Sequence, residues 1–126
     1  MMWHRLALIA VAGAVGTLCR YGLSGLVQRL CGAGFPWGTL AVNTLGCFLF
    51  GFIWSLADER LIISGETRFI VLIGFLGAFT TFSTFAFETS ELWRVSEWML
   101  VAANLLSHNV LGVTCVLLGL AAGRLL

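Results

Sequence analysis

The chain has 126 residues, 60% of them hydrophobic and only 10% charged. A soluble domain carries about 25% charged residues, so the polar surface that a water-soluble fold needs is missing. Seven arginines, no lysine and six acids leave a formal net charge of +1, without the basic stripe that would neutralise the phosphates of a nucleic-acid partner. The composition reads as one compact membrane domain over 1–126, with no linker and no low-complexity stretch.

A span needs about 20 mostly apolar residues, and four windows qualify. The first covers 3–30, interrupted by Arg20 and closed by Arg29. Its charged start, residues 1–5, looks like the head of a signal peptide, but the apolar run continues through Arg20 without a processing pattern, so it is read as a span. The second window, 30–57, opens on the breaker-rich Cys31-Gly32-Ala33-Gly34-Phe35-Pro36. The third, 69–87, carries no formal charge before Glu88 and extends at most to residue 93. In the fourth, 98–123, His108 is the group that titrates near neutral pH. The connectors are short, 58–67 being the longest, which leaves little room for chemistry outside the membrane.

An even number of spans puts both termini on one side. Arg5, Arg60, Arg68 and Arg124 flank that side, Arg29 and Arg94 the other, with Arg20 inside or near the second. Orientation follows a clear bias of basic residues over short loops, and this bias is weak enough to permit insertion both ways up. Small residues recur at four-residue spacing in Ala12/Gly16, Cys47/Gly51 and Cys115/Gly119/Gly123, the pattern of helix seams in lipid. The four cysteines, at 19, 31, 47 and 115, have neither metal-knuckle nor CxxC spacing. They read as small buried hydrophobes.

The third window breaks the apolar rule. It reads Gly74-Phe75-Leu76-Gly77-Ala78-Phe79-Thr80-Thr81-Phe82-Ser83-Thr84-Phe85-Ala86-Phe87-Glu88. Two readings stand: a helix broken between Gly77 and Thr81, exposing backbone groups that protein, water or an ion must satisfy, or a continuous span whose hydroxyls bond back to their own carbonyls. Elsewhere Asn43 sits mid-span between Thr39 and Cys47, and Asn104, Ser107, His108, Thr114 and Cys115 make an interrupted stripe in the fourth window. Buried amides must find partners, either across helices or along a wet path. Arg20 is either a snorkelling anchor or the cation of a water-filled vestibule. Glu88 either carries protons or marks the mouth of the span. No catalytic residue stands out: there is no Ser-His-Asp set, carboxylate pair or metal cluster, and His4 and His108 lie far apart in the chain.

With these blocks in view, the chain resembles the CrcB/Fluc family of bacterial fluoride channels over nearly its whole length. The resemblance rests on Gly13-Ala14-Val15-Gly16-Thr17-Leu18-Cys19-Arg20-Tyr21, on the stretch from Gly38-Thr39 through Asn43-Thr44 to Phe50-Gly51, and on Gly74 to Phe85. It implies an all-α membrane protein of four transmembrane helices with the third broken mid-membrane. It also implies an antiparallel dual-topology homodimer in the bacterial inner membrane. The implied activity is passive, fluoride-selective export of F- from the cytoplasm through two pores, with a structural Na+ held by backbone carbonyls of Gly77 and Thr80. By matching position, Phe82 and Phe85 form an aromatic box, Asn43 is the amide donor and Arg20 the vestibule cation. Thr39, Ser83, Ser107 and Thr114 join the fluoride path, the fourth-span pair less firmly because His108 stands among groups that are hydroxyls in the family, and Glu88 sits at the pore mouth. The implied partners are fluoride, a second copy and lipid, with no nucleic acid. An anion meets an aromatic ring at its positive edge, and an amide offers two N–H donors.

Two other classes remain. A small dual-topology drug transporter is expected to carry an acid in its first span, and no acid lies between residues 1 and 57. A membrane scaffold predicts no flux.

Overall fold

The computed structural model describes residues 2–126; Met1, the first residue of the signal-like stretch, lies outside the described residues. The regular structure is helical: α1 (Met2–Cys31), α2 (Trp37–Trp54) with a π-helical extension (Ser55–Glu59), and α3 (Gly65–Phe69) continuing through a second π-helix (Ile70–Leu76) into the short α4 (Gly77–Phe79). α5 (Phe82–Arg94) and α6 (Trp98–Arg124) complete the chain. Four helical runs, Met2–Cys31, Trp37–Glu59, Gly65–Arg94 and Trp98–Arg124, are long and apolar enough to cross a membrane. The protein is a multi-pass membrane protein.

Two boundaries differ from the sequence reading, each for a local reason. The second span starts at Trp37 rather than residue 30 because Gly32 turns the chain at φ +91°, a conformation glycine adopts without a Cβ penalty. Gln28 then stitches the turn: its Nε2 donates to the carbonyls of Gly32 (2.6 Å) and Phe35 (2.9 Å), and its Oε1 accepts from Gly38 N–H at 3.0 Å. That last bond satisfies an amide at the start of α2, where Pro36 supplies no side-chain cap. The third span begins at Gly65, because Ser64 caps α3 by accepting from Thr67 N–H at 3.1 Å. Glu66 in the first turn suits the positive end of the helix dipole.

The small-residue seams decide how closely the spans approach. Gly119 packs on the Phe48 carbonyl, Gly51 on the Val116 carbonyl, and Gly123 against Ser55 and Phe52, so α2 and α6 meet backbone to backbone. Gly16 sits on the Phe75 carbonyl and Gly74 against Ala12 and Ile9, joining α1 to the third span in the same way. Lipid tails are as apolar as leucine, so close packing of this kind holds the helices together. Val42, Leu72, Leu76 and Phe79 form the buried apolar centre. Gly119→Ala should push α2 from α6 and cost about 1–3 kcal/mol, read as a lower melting temperature in detergent. An unchanged melting temperature would show that the seam tolerates a methyl group.

The ends carry the charge. Arg5–Glu66 (3.1 Å), Arg68–Asp58 (2.8 Å) and Arg124–Glu59 (2.6 Å) pair on the side of the termini, and Arg94–Glu91 (2.7 Å) on the other. Trp93 meets Trp98 edge-on at 4.6 Å across the short turn between α5 and α6, as suits tryptophans at a membrane–water interface.

Candidate functional site

The site is built around a gap in the third span. The helical run stops at Phe79 and resumes at Phe82, leaving Thr80 (φ −87°, ψ 159°) and Thr81 (φ −151°, ψ 112°) extended. Each side of the gap is tied off locally. Thr80 donates twice to the Leu76 carbonyl, from its N–H and from its hydroxyl, both at 3.0 Å. Thr81 caps α5, its Oγ1 accepting from Thr84 N–H at 3.2 Å. The remaining N–H and C=O of Thr81 have no partner in their own helix. Asn43 of α2 supplies both: its Nδ2 donates to the Thr81 carbonyl at 3.1 Å, and its Oδ1 accepts from the Thr81 N–H at 2.8 Å. One Asn43 N–H remains for another acceptor. Gly46, one turn on, lets the Thr80 methyl group and Phe79 lie directly against α2.

Two cavities flank this pair, and Thr81 lines both. The larger, about 790 Å³, is bounded by Arg20, Tyr21 and Ser24 of α1, Thr39 of α2, and Thr84 and Glu88 of α5. Arg20 makes no ion pair among the described residues. Thr39 donates to Glu88 Oε1 at 2.7 Å, while Glu88 Oε2 is buried without a partner. The smaller cavity, about 480 Å³, is lined by Asn43, Cys47, Thr80, Phe82, Phe85 and His108, among others. Phe85 is 7% exposed and Phe82 79%; their rings stand 5.5 Å apart at 58°. Phe85 also lies against His108, with ring centroids 4.2 Å apart.

The structure thus gathers Asn43, Phe82, Phe85 and His108 around one cavity, and Arg20, Thr39 and Glu88 around the other. Ser83 stays at the gap, its hydroxyl 3.3 Å from Thr81 Oγ1. Ser107 bonds back to the Asn104 carbonyl at 3.3 Å, and Thr114 faces outward; neither lines a cavity. Asn104, fully buried, bridges α6 to α5 by donating to Thr89 Oγ1 at 2.9 Å. The sequence did not point to Thr81 and Thr89 as the partners of Asn43 and the buried Asn104, and it left open whether His108 belongs to the path.

One expectation is corrected. Among the described residues, no three His, Cys, Asp or Glu side chains cluster where a metal ion could be held. Gly77 and Thr80, the expected Na+ ligands, bring no negative charge to balance a cation, and the Thr80 hydroxyl is already directed at the Leu76 carbonyl. The side chains present therefore give no support to the Na+ site expected at Gly77 and Thr80.

A family profile described as "CrcB-like protein, Camphor Resistance (CrcB)" matches residues 7–120. The chain belongs to the CrcB family. Within that family it is 66% identical over 125 residues to a protein of Nitrosococcus oceani named "Fluoride-specific ion channel FluC", the match covering 99% of this chain and all of the relative. Proteins of the same name from Desulforapulum autotrophicum and Solidesulfovibrio magneticus are each 50% identical over 125 residues, with the same coverage. In this CrcB chain the matched segment contains both cavities and the gap between them. Those relatives carry the name of a channel and not of an enzyme.

Proposed function

We propose that the chain is a passive fluoride-selective channel that exports F- from the cytoplasm of a bacterial cell and so gives fluoride resistance. The observation that carries this reading is the Asn43–Thr81 pair, set between a cavity holding an unpaired arginine and a cavity walled by two phenylalanine rings. The relatives' shared name points the same way. Arg20 raises the local anion concentration in the larger cavity without gripping the ion, because it lies at the entrance and not at the narrow point. The free N–H of Asn43 replaces part of the hydration shell, with Ser83 beside the gap and Thr39 joining the path only when its hydroxyl turns away from Glu88. The ring edges of Phe82 and Phe85 then receive the ion, and contacts this weak let it leave again. Glu88 shares the larger cavity with Arg20 at the mouth of the path.

The working form is an antiparallel dual-topology homodimer in the inner membrane, with two pores and the third span of each copy broken at mid-membrane depth. The near balance of arginines supports it, four on the terminal side against three on the other when Arg20 is included. So does Phe82, which lines a cavity yet is mostly exposed in one copy and needs a partner to close the path. Ser107 and Thr114 belong to the path where the second copy meets the first.

Liposomes loaded with fluoride and carrying the purified chain should discharge it down its gradient; vesicles that hold their fluoride would refute the channel. Single cysteines placed near Arg60 and near Arg94, with native cysteines removed, should each be labelled from both sides of the membrane. Labelling from one side only would refute the dual topology.

A further inference from the structure

The two ring nitrogens of His108 face different surroundings. Nδ1 lies 3.0 Å from the Asn104 carbonyl oxygen, one turn back on α6. A carbonyl only accepts, so Nδ1 carries a hydrogen. Nε2 is buried without a well-aligned hydrogen bond, and the Thr39 backbone of α2 lies close to the ring. In the neutral ring it is therefore a bare lone pair, beside the cavity that also holds Asn43, Phe82 and Phe85. A lone pair repels an anion there. Once Nε2 is protonated the ring is cationic and donates from both nitrogens, so the same atom becomes an anion ligand.

We infer that His108 is a proton-linked anion ligand of this pore: a proton on Nε2 and fluoride in the Phe82–Phe85 cavity favour one another. The inference rests on the fluoride reading above and deepens it. The coupling is reciprocal: acid conditions raise fluoride occupancy and flux, and fluoride in turn holds the proton on the ring. The proton comes from water and stays on His108, so the ion passes as F- and no proton travels with it.

On α6 the other titratable groups are Cys115 and the terminal Arg124, which pairs with Glu59. α2 brings Cys47 to the same cavity beside the neutral Asn43, and Thr39 lines the other cavity. α5 carries Glu88, which lines the other cavity with Arg20 and is held by Thr39, and Glu91, which pairs with Arg94. The π-turn that packs on α6 ends in Asp58 and Glu59, paired with Arg68 and Arg124. The cavity wall itself therefore offers one imidazole and one thiol.

The test is fluoride release from liposomes at equal inner and outer pH, stepped between about pH 5 and pH 8, the range over which histidine changes charge. Leak from protein-free vesicles is subtracted, because neutral HF crosses lipid unaided. The native chain and His4→Gln, which changes the only other histidine, should speed up by about threefold or more as pH falls. His108→Gln keeps an N–H donor near the Nε2 position and has no proton to lose, so its flux should persist and be flat with pH. His108→Leu should be slower at every pH; if it fails to fold, the glutamine variant alone decides. Independently of flux, the nitrogen NMR signal of His108 Nε2 should move toward its protonated position when sodium fluoride is added, and not when sodium chloride is. A flat profile in the native chain, a slope that survives in His108→Gln, or a ring indifferent to fluoride would each overturn the inference while leaving the channel reading intact. No release by any variant at any pH would overturn both.

Discussion

Asn43→Leu should leave little folded protein, with a loss of about 2–6 kcal/mol. The reason is the pairing with Thr81. Asn43 satisfies both backbone groups left over where the third span stops being helical, at 3.1 and 2.8 Å. Leucine has nearly the same bulk and neither bond. Each buried backbone group left without a partner costs about 1–3 kcal/mol. Asn43→Asp is the informative companion. Its carboxylate still accepts from the Thr81 N–H, but its second oxygen faces the Thr81 carbonyl where a donor stood. It should fold less stably than the native chain and better than the leucine variant, and it should pass little fluoride because the last N–H on that side chain is gone. Melting temperature and elution profile in detergent check the first effect, and flux from the folded fraction checks the second. An Asn43→Leu chain that melts like the native one would show that the gap closes without this side chain.

The two phenylalanines should separate fold from flux. Phe82 is 79% exposed in the single chain, so Phe82→Ile should leave the stability of the unassembled chain within about 0.5 kcal/mol of native. It should nonetheless cut flux by about two- to tenfold, because isoleucine fills the space without the positive ring edge, and a lost aromatic contact is worth about 0.5–1.5 kcal/mol. Phe85 is 7% exposed and packs on His108 as well as on Phe82. Phe85→Ile should therefore lose on both counts, with about 1–2 kcal/mol of stability and at least as much flux. If both variants keep native flux while well folded, the rings are packing and not pore.

Much of this was legible in the chain because membrane physics writes it plainly. Apolar windows long enough to span reveal the four crossings, and small residues at four-residue spacing mark Gly51, Gly119 and Gly123 as the places where α2 and α6 touch. The gap in the third span was one of two open readings, since Gly77, Thr80 and Thr81 weaken a helix without dictating where it stops. What fixes the stop is an amide 38 residues away, and no local pattern announces that partner. The turn before α2 was hidden for the same reason, as it depends on Gln28 reaching forward to Gly32, Phe35 and Gly38. Na+ at Gly77 and Thr80 came from the resemblance alone, and the side chains present do not provide for it. His108 looked like an oddity in a polar stripe; its meaning appears only once Phe85 and the Asn104 carbonyl are seen on either side of it.

The central claim is selective passage of fluoride down its own gradient, and paired anion release tests it most directly. Vesicles bearing the purified chain are loaded with equal fluoride and chloride, with no proton or Na+ gradient, and charge is balanced by a potassium ionophore. Each anion is followed with its own electrode. The account predicts rapid loss of fluoride while chloride stays inside, with no need for any second gradient. Equal loss of both anions would contradict the selectivity, and retention of both, or release only when a proton or Na+ gradient is imposed, would contradict the channel.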